Sequence, residues 1–167
     1  QITDLSPLAG LKQLTFLSLP NNPKVTRAEI DKLKQALPHR RITHDLMDGP
    51  ERLEDSIRGS LQQTSGEITA EDMGKLRNLK ATNASITDLS PLKAAINMEE
   101  LTLHDNAISD LSSLASMKNL RRLSLYRNRI SDLSPLAGLT NLRRIELDVN
   151  QITDLSPLAG LKQLTYL

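Results

Sequence analysis

Four isoleucines, Ile86, Ile108, Ile130 and Ile152, stand 22 residues apart. The segments they open, ITDLSPLKAAINMEELTLHDNA, ISDLSSLASMKNLRRLSLYRNR and ISDLSPLAGLTNLRRIELDVNQ, hold one pattern, L-x-x-L-x-L-x-x-N-x-I, with Met98 in the first slot of the first segment. A fixed period of this length describes stacked coils, each burying its apolar face only against its neighbours. Leu123 and Leu125 alternate with Arg122, Ser124 and Tyr126, a period of two that predicts a short strand with one face in the core. Stacking sets such strands side by side in a parallel sheet, about 4.8 Å apart.

The other slots have equally direct readings. Asn128 follows the strand where the chain turns, and its amide can satisfy backbone groups that the turn leaves unpaired. Asn106, Asn128, Asn150 and Asn22 are expected to stack into a buried ladder. The return segment ISDLSPLAGL is too short for a full helix. Ser134 with Pro135 reads as an N-cap and first turn, predicting about one turn of 3₁₀- or α-helix. Gly138 and Gly160 then let the chain back into the next strand.

This pattern resembles the leucine-rich repeat in the 22-residue form of bacterial internalins and phosphatase-regulating relatives. The resemblance implies an α/β solenoid with parallel strands on the concave face, short helical turns on the convex face and helical caps. It also implies a non-enzymatic scaffold that binds proteins through its concave face.

The ends of the chain repeat each other. Residues 1–17, QITDLSPLAGLKQLTFL, recur at 151–167 with one difference, Phe16 against Tyr166. After the first copy the repeat stops. Thr26-x-x-Glu29 is a capping box, opening a helix whose Ile30, Leu33 and Leu37 share a face and which Pro38 ends. RRITHD then reads as one edge strand, its charges discouraging further pairing. Such a segment closes the C-terminal end of a solenoid. Leu53, Ile57 and Leu61 follow at helical spacing, QQTSG is a turn, and Thr69-x-x-Asp72 opens a second helical piece with Met73 facing the core. LRNLKATNASI matches the repeat with Ala81 and Ala84 in the third-Leu and Asn slots, a departure expected of a terminal repeat; the whole resembles the N-terminal cap of internalin-type domains.

The order is therefore half repeat with C-terminal-type cap (1–46), N-terminal-type cap and first strand (47–85), then repeats of which the last is incomplete (86–167). Placing Ser18 after Leu167 closes the period. The order is that of an engineered circular permutant or of a tandem array of natural domains. The five-residue spacer 46–50 reaches at most about 18 Å, whereas five steps between six strand layers span about 24 Å. The cap of one molecule is thus expected to complete the solenoid of the next, head to tail, as a ring or filament. The self-association edge is expected at Ile2, Leu5, Leu8, Leu11, Leu14 and Leu17, and at Ile152, Leu155, Leu158, Leu161, Leu164 and Leu167.

The alternative is a partner protein on the concave face, formed by Asn78, Lys80, Thr82, Glu100, Thr102, His104, Arg122, Ser124, Tyr126, Arg144, Glu146 and Asp148, with Tyr166 or Phe16 extending it. Tyr and Arg are the types favoured at binding hot spots, although cross-strand pairs such as Glu100 with Arg122 are equally what a solvated sheet face carries. Asp4, Asp88, Asp110, Asp132 and Asp154 recur at one repeat position, which argues for a turn or cap role.

Composition narrows the function classes. A net charge of +1 and 2 % aromatic residues give no basis for nucleic acid or an anionic membrane as partner. With no cysteine there is no disulfide or thiolate site. His39, His44 and His104 lack metal-site spacing, and no catalytic or phosphate-binding motif occurs. No enzyme activity, cofactor or metal is expected. No stretch approaches the roughly 20 apolar residues of a membrane span, and residues 1–17 lack the pattern of a signal peptide. The expected location is cytoplasmic for a natural protein and open for an engineered one.

Overall fold

The computed structural model describes residues 2 and 4–167; Gln1 and Thr3 of the first duplicated segment lie outside the described residues. It divides into two compact units, one of residues 1–47 with 62–68, the other of residues 48–61 with 69–167.

The second unit is the repeat stack. It opens with helix α2 (Gly49–Leu61), which presents Leu53 and Ile57 to the core with Leu61 half-buried. A reciprocal pair of bonds between Asp48 and Glu51, each carboxylate accepting from the other residue's N–H at 3.0 Å, starts this helix. Asp48-x-x-Glu51 is thus a third capping box beyond the two legible in the sequence. Helix α3 (Ala70–Lys75) has the expected box at Thr69 and Asp72 and buries Met73. Four strands follow, β3 (Asn78–Lys80), β4 (Glu100–Thr102), β5 (Arg122–Ser124) and β6 (Arg144–Glu146). They form one parallel sheet in sequence order, each residue paired with the residue 22 positions on. Tyr166 adds a parallel bridge to Arg144.

Single 3₁₀ turns lie between strands at Ser90–Leu92, Ser112–Leu114, Ser134–Leu136 and Ser156–Leu158. Their caps correct one expectation. The residue flanking the third turn is Leu133, and Ser134 is already its first residue. The capping acceptor is Asp132, whose Oδ1 takes the Ser134 N–H at 2.8 Å; a carboxylate two residues upstream is the stronger acceptor. The same Asp-to-Ser bond recurs at Asp4, Asp88, Asp110 and Asp154. Serine hydroxyl and backbone donors hold the Asp88 and Asp132 carboxyls below their ordinary range.

The core is a set of aliphatic columns one residue deep per coil. Ile86, Ile108 and Ile130, Leu92, Leu114 and Leu136, and Leu101, Leu123 and Ile145 are each at most 1 % exposed. Burial of this kind contributes about 1.5–3 kcal/mol per side chain. The Asn ladder runs through Asn106, Asn128 and Asn150. Asn128 Nδ2 donates to Leu103 O and Leu125 O, and its Oδ1 accepts from Ile108 N–H at 3.0 Å. Asn22 does not join this ladder; its side-chain amide donates to Pro20 O within its own turn. A rung needs the coil before it, and Asn22 belongs to the other unit.

The first unit contains a 3₁₀ turn (Ser6–Gly10), strand β1 (Phe16–Leu19), helix α1 (Arg27–Ala36) and strand β2 (Arg41–His44). β1 and β2 pair in parallel as their own two-stranded sheet. Thr26 and Glu29 form the expected capping box, and Leu5, Leu19, Val25, Ile30, Leu33, Leu37 and Ile42 make the core. The charges of β2 do not leave its outer edge bare. Arg40 makes an antiparallel bridge to Ser65, and Arg41 N–H donates to Thr64 O at 2.9 Å. The QQTSG segment therefore serves as a short pairing partner as well as a turn.

Candidate functional site

Strand alternation places the predicted concave residues in rows across β3–β6. Asn78, Glu100, Arg122 and Arg144 form one row, and Lys80, Thr102, Ser124 and Glu146 a second. His104, Tyr126 and Asp148 follow the strands at a third common phase. Phe16 is not part of this face, because β1 pairs with β2 in the other sheet; Tyr166 extends the face through its bridge to Arg144.

The charges on this face pair with one another. Arg122 Nη1 lies 2.6 Å from Glu100 Oε1 across neighbouring strands, and Arg144 Nη2 lies 2.7 Å from Glu146 Oε1 on its own strand. Exposed pairs of this kind contribute between 0 and about 1 kcal/mol. Glu146 is held below the ordinary carboxylate range, first by the Ser124 hydroxyl and then by Arg144. Beyond the strand rows the His104 and Tyr126 rings stack, centroids 4.3 Å apart and planes 12° from parallel. His104 Nδ1 meets Asp105 Oδ2 at 2.8 Å. This contact, with Arg127 Nη1 at 3.4 Å, holds the Asp105 carboxyl below its usual range. The Arg144 guanidinium lies 3.9 Å over the Tyr166 ring. Glu100, His104, Arg122, Tyr126, Arg144 and Glu146 line a shallow concavity of about 220 Å³. The stacking was readable in principle, since His104 and Tyr126 are aromatic rings at one phase of adjacent coils.

The basic pairs at 121–122 and 143–144 are not a bare cationic stripe: Arg121 meets Glu99 at 3.7 Å and Arg122 meets Glu100. Among the described residues no cluster of His, Asp and Glu could hold a metal ion.

The predicted association edge divides. Leu5, Leu158 and Leu161 are buried within their own coils, at 2 %, 7 % and 4 % exposed, so they serve as core. Leu8, Leu14, Leu17, Ile152 and Leu164 are half-buried. The exposed members are Ile2, Leu11, Leu155 and Leu167, and Val149, which the repeat pattern did not mark, is 70 % exposed beside them in sequence phase.

A stack of parallel strands in 22-residue register, with an asparagine ladder and short convex turns, defines a leucine-rich-repeat solenoid. The family model of leucine-rich repeats (2 copies) matches residues 118–160. The chain is an internalin-like leucine-rich-repeat protein. It is similar to the internalin InlF from Listeria monocytogenes, with 32 % identity and a TM-score of 0.64 over 68 % of this chain and 34 % of that one. It is also similar to the internalin InlC2 from the same organism, with 30 % identity and a TM-score of 0.55 over 69 % of this chain and 62 % of that one. The chain thus spans about a third of InlF and less than two thirds of InlC2. Likeness to TLR13 in a complex with single-stranded RNA, at 20 % identity and a TM-score of 0.52, shows the fold alone. No curated protein matches the chain.

Proposed function

We propose that this non-enzymatic, protein-binding scaffold takes a further copy of itself as partner, the first unit of one copy closing the repeat stack of another. The observation that carries the reading is the pair of separate sheets. β1 and β2 form one sheet and β3–β6 another, yet the two units contain seventeen-residue segments that differ at one position only. The cap at residues 18–46 is in sequence phase to follow Leu167, where Val149, Leu155 and Leu167 are exposed. A head-to-tail contact generates rings or filaments. The element order is that of a permuted or tandemly repeated domain. Sedimentation equilibrium of the 167-residue chain over a concentration series should show mass rising above 18.5 kDa. A monomer at every concentration up to several hundred micromolar would overturn the reading.

The stacked His104–Tyr126 pair favours a second reading, a different protein bound on the concave face. Aromatic residues framed by Arg are enriched where binding energy concentrates. The double variant Arg122→Glu/Arg144→Glu separates the two. Self-association through the stack end survives it, whereas a contact made by the concave face is lost. Among the described residues no helix is long and apolar enough to cross a membrane.

A further inference from the structure

We infer that Arg122 and Arg144 together hold a side-chain carboxylate from an acidic segment of a partner protein. The inference rests on the concave-face reading above and names the chemistry of that partner.

The two arginines stand directly opposite one another, Arg122 on β5 in register with Arg144 on β6, on strands about 4.8 Å apart. Like charges at opposed positions of a sheet destabilise it. The two coils repeat the arrangement one residue earlier, at Arg121 and Arg143. No carboxylate of the face bridges Arg122 to Arg144. Arg122 turns back to β4, where its Nη1 meets Glu100 Oε1 at 2.6 Å. Arg144 turns along its own strand, its Nε and Nη2 donating to Glu146 Oε1 at 3.1 and 2.7 Å, with its guanidinium over the Tyr166 ring. Among the described residues Arg122 Nε and Nη2, Arg144 Nη1 and the whole guanidinium of Arg143 have no protein acceptor.

Both side chains line the concavity, together with Thr102 and Ser124 of the next row. A guanidinium presents its N–H donors in a planar fork that matches a carboxylate. Arg122 and Arg144 each spend part of that fork on a glutamate, which orients the side chain, and leave the remainder to solvent. A carboxylate seated between them accepts from both through charge-assisted bonds and offsets the repulsion across the β5–β6 register. A second carboxylate on the same segment would reach the unpaired Arg143. The neighbouring charges favour an acidic side chain over a nucleic acid. Glu100, Glu146 and the exposed Asp148 stand among the arginines. A nucleic-acid strand carries a charge at every phosphate and would meet these carboxylates as well as the guanidinium groups. A side-chain carboxylate meets the arginines alone.

The test is a titration of the 167-residue chain with an acetylated, amidated tetraglutamate peptide, followed by NMR of the arginine Nε–H groups and of the His104 and Tyr126 rings. The Arg122 and Arg144 signals should shift saturably, and binding should weaken as salt is raised. Arg122→Gln and Arg144→Gln should each weaken binding about tenfold, the scale of one lost charge-assisted bond. Arg129→Gln, at an exposed arginine outside the cavity, should leave it unchanged. Tetraserine, tetralysine and oligothymidylate are the other arms. If tetraserine or tetralysine shifts the ring signals while tetraglutamate leaves the arginines unmoved, the inference is overturned and the concave-face reading stands. If oligothymidylate binds as tightly as tetraglutamate, the acidic protein segment is overturned as the occupant. If no probe moves any signal of the face, both fall. The wild-type titration decides the matter even if a variant folds poorly.

Discussion

Arg144 lies over the ring of Tyr166, its guanidinium carbon 3.9 Å from the ring centroid, while the same side chain bonds Glu146. Arg41 lies over Phe16 in the other sheet at 5.2 Å. The one residue that differs between the duplicated segments therefore meets an arginine in both settings, and what is kept is an aromatic face, not the tyrosine hydroxyl. Tyr166→Phe should be silent. Tyr166→Leu should loosen the last coil by about 0.5–1 kcal/mol, the usual worth of an exposed cation–π contact. Hydrogen exchange at Ile145, whose N–H donates to Tyr166 O, reads this locally.

Asn128 is 8 % exposed and serves backbone groups of two coils. Asn128→Ala leaves those groups buried and unpaired, at about 1–3 kcal/mol for each group left unsatisfied. A net loss of about 3 kcal/mol in urea denaturation is expected. The same change at Asn22 should cost under about 0.5 kcal/mol in dilute solution, since it removes one short-range bond of a half-buried residue. Equal losses at the two sites would contradict the placement of Asn22 outside the ladder.

What could be read in advance follows from whether a feature depends on neighbours in sequence or on neighbours in space. The strand registers, the ladder at Asn106, Asn128 and Asn150, and the boxes at Thr26 and Thr69 repeat or close within a few residues, so pattern alone exposes them. Asn22 carries the same local signal as Asn128 but lacks the preceding coil, and sequence phase cannot report which coil is present. Thr64 and Ser65 pair with Arg41 and Arg40 through backbone groups, which leave no mark on residue type. Leu158 and Leu161 share the apolar signature of Leu155, yet Leu155 is 51 % exposed while Leu89, Leu111 and Leu133 at its own phase are at most 2 % exposed; burial in that slot depends on a neighbouring coil, which residue type does not report. The Asp48-x-x-Glu51 box is local, but the Gly-Pro between its two residues reads as a loop and masks it.

Asp72 gives the fold a defined acid sensitivity. The Thr69 hydroxyl, then Lys75, lower its pKa to about 2 from 3.8. The folded state favours the carboxylate, so its contribution is complete above about pH 4 and is lost as pH falls through about 2. Between those values the melting temperature of the wild type should drop more steeply than that of Asp72→Asn. Parallel slopes would show that the α3 capping box does not report on folding.

Gly49 opens α2 where its backbone passes the chain at Ser85. A Cβ at this position would collide with the Ser85 carbonyl, with Ile86 Cα at 3.2 Å behind it. Backbone cannot rotate away as a flexible side chain can. Gly49→Ala should therefore cost about 1–3 kcal/mol, the range for overpacking, although alanine favours helix over glycine by about 1 kcal/mol. Gly74→Ala is the control: nothing lies within 4 Å of its Cβ, and stability should hold or rise.

Val149 has φ +55°, a left-handed conformation in which a β-branched residue is an outlier. The ladder imposes it, because the residue before each rung must turn this way for the asparagine to point back into the stack. The equivalent positions carry Asn21, Asn83, Asp105 and Arg127, the first three being types whose short polar side chains tolerate the region. Val149 is 70 % exposed, so little packing offsets its strain in the separate chain. Val149→Asn should raise stability by about 1 kcal/mol, the order of the left-handed penalty, in denaturation at concentrations where association is negligible. Val149→Ile, which keeps the branch at Cβ, should give no such gain. If isoleucine stabilises as much as asparagine, side-chain contact rather than backbone strain governs this position.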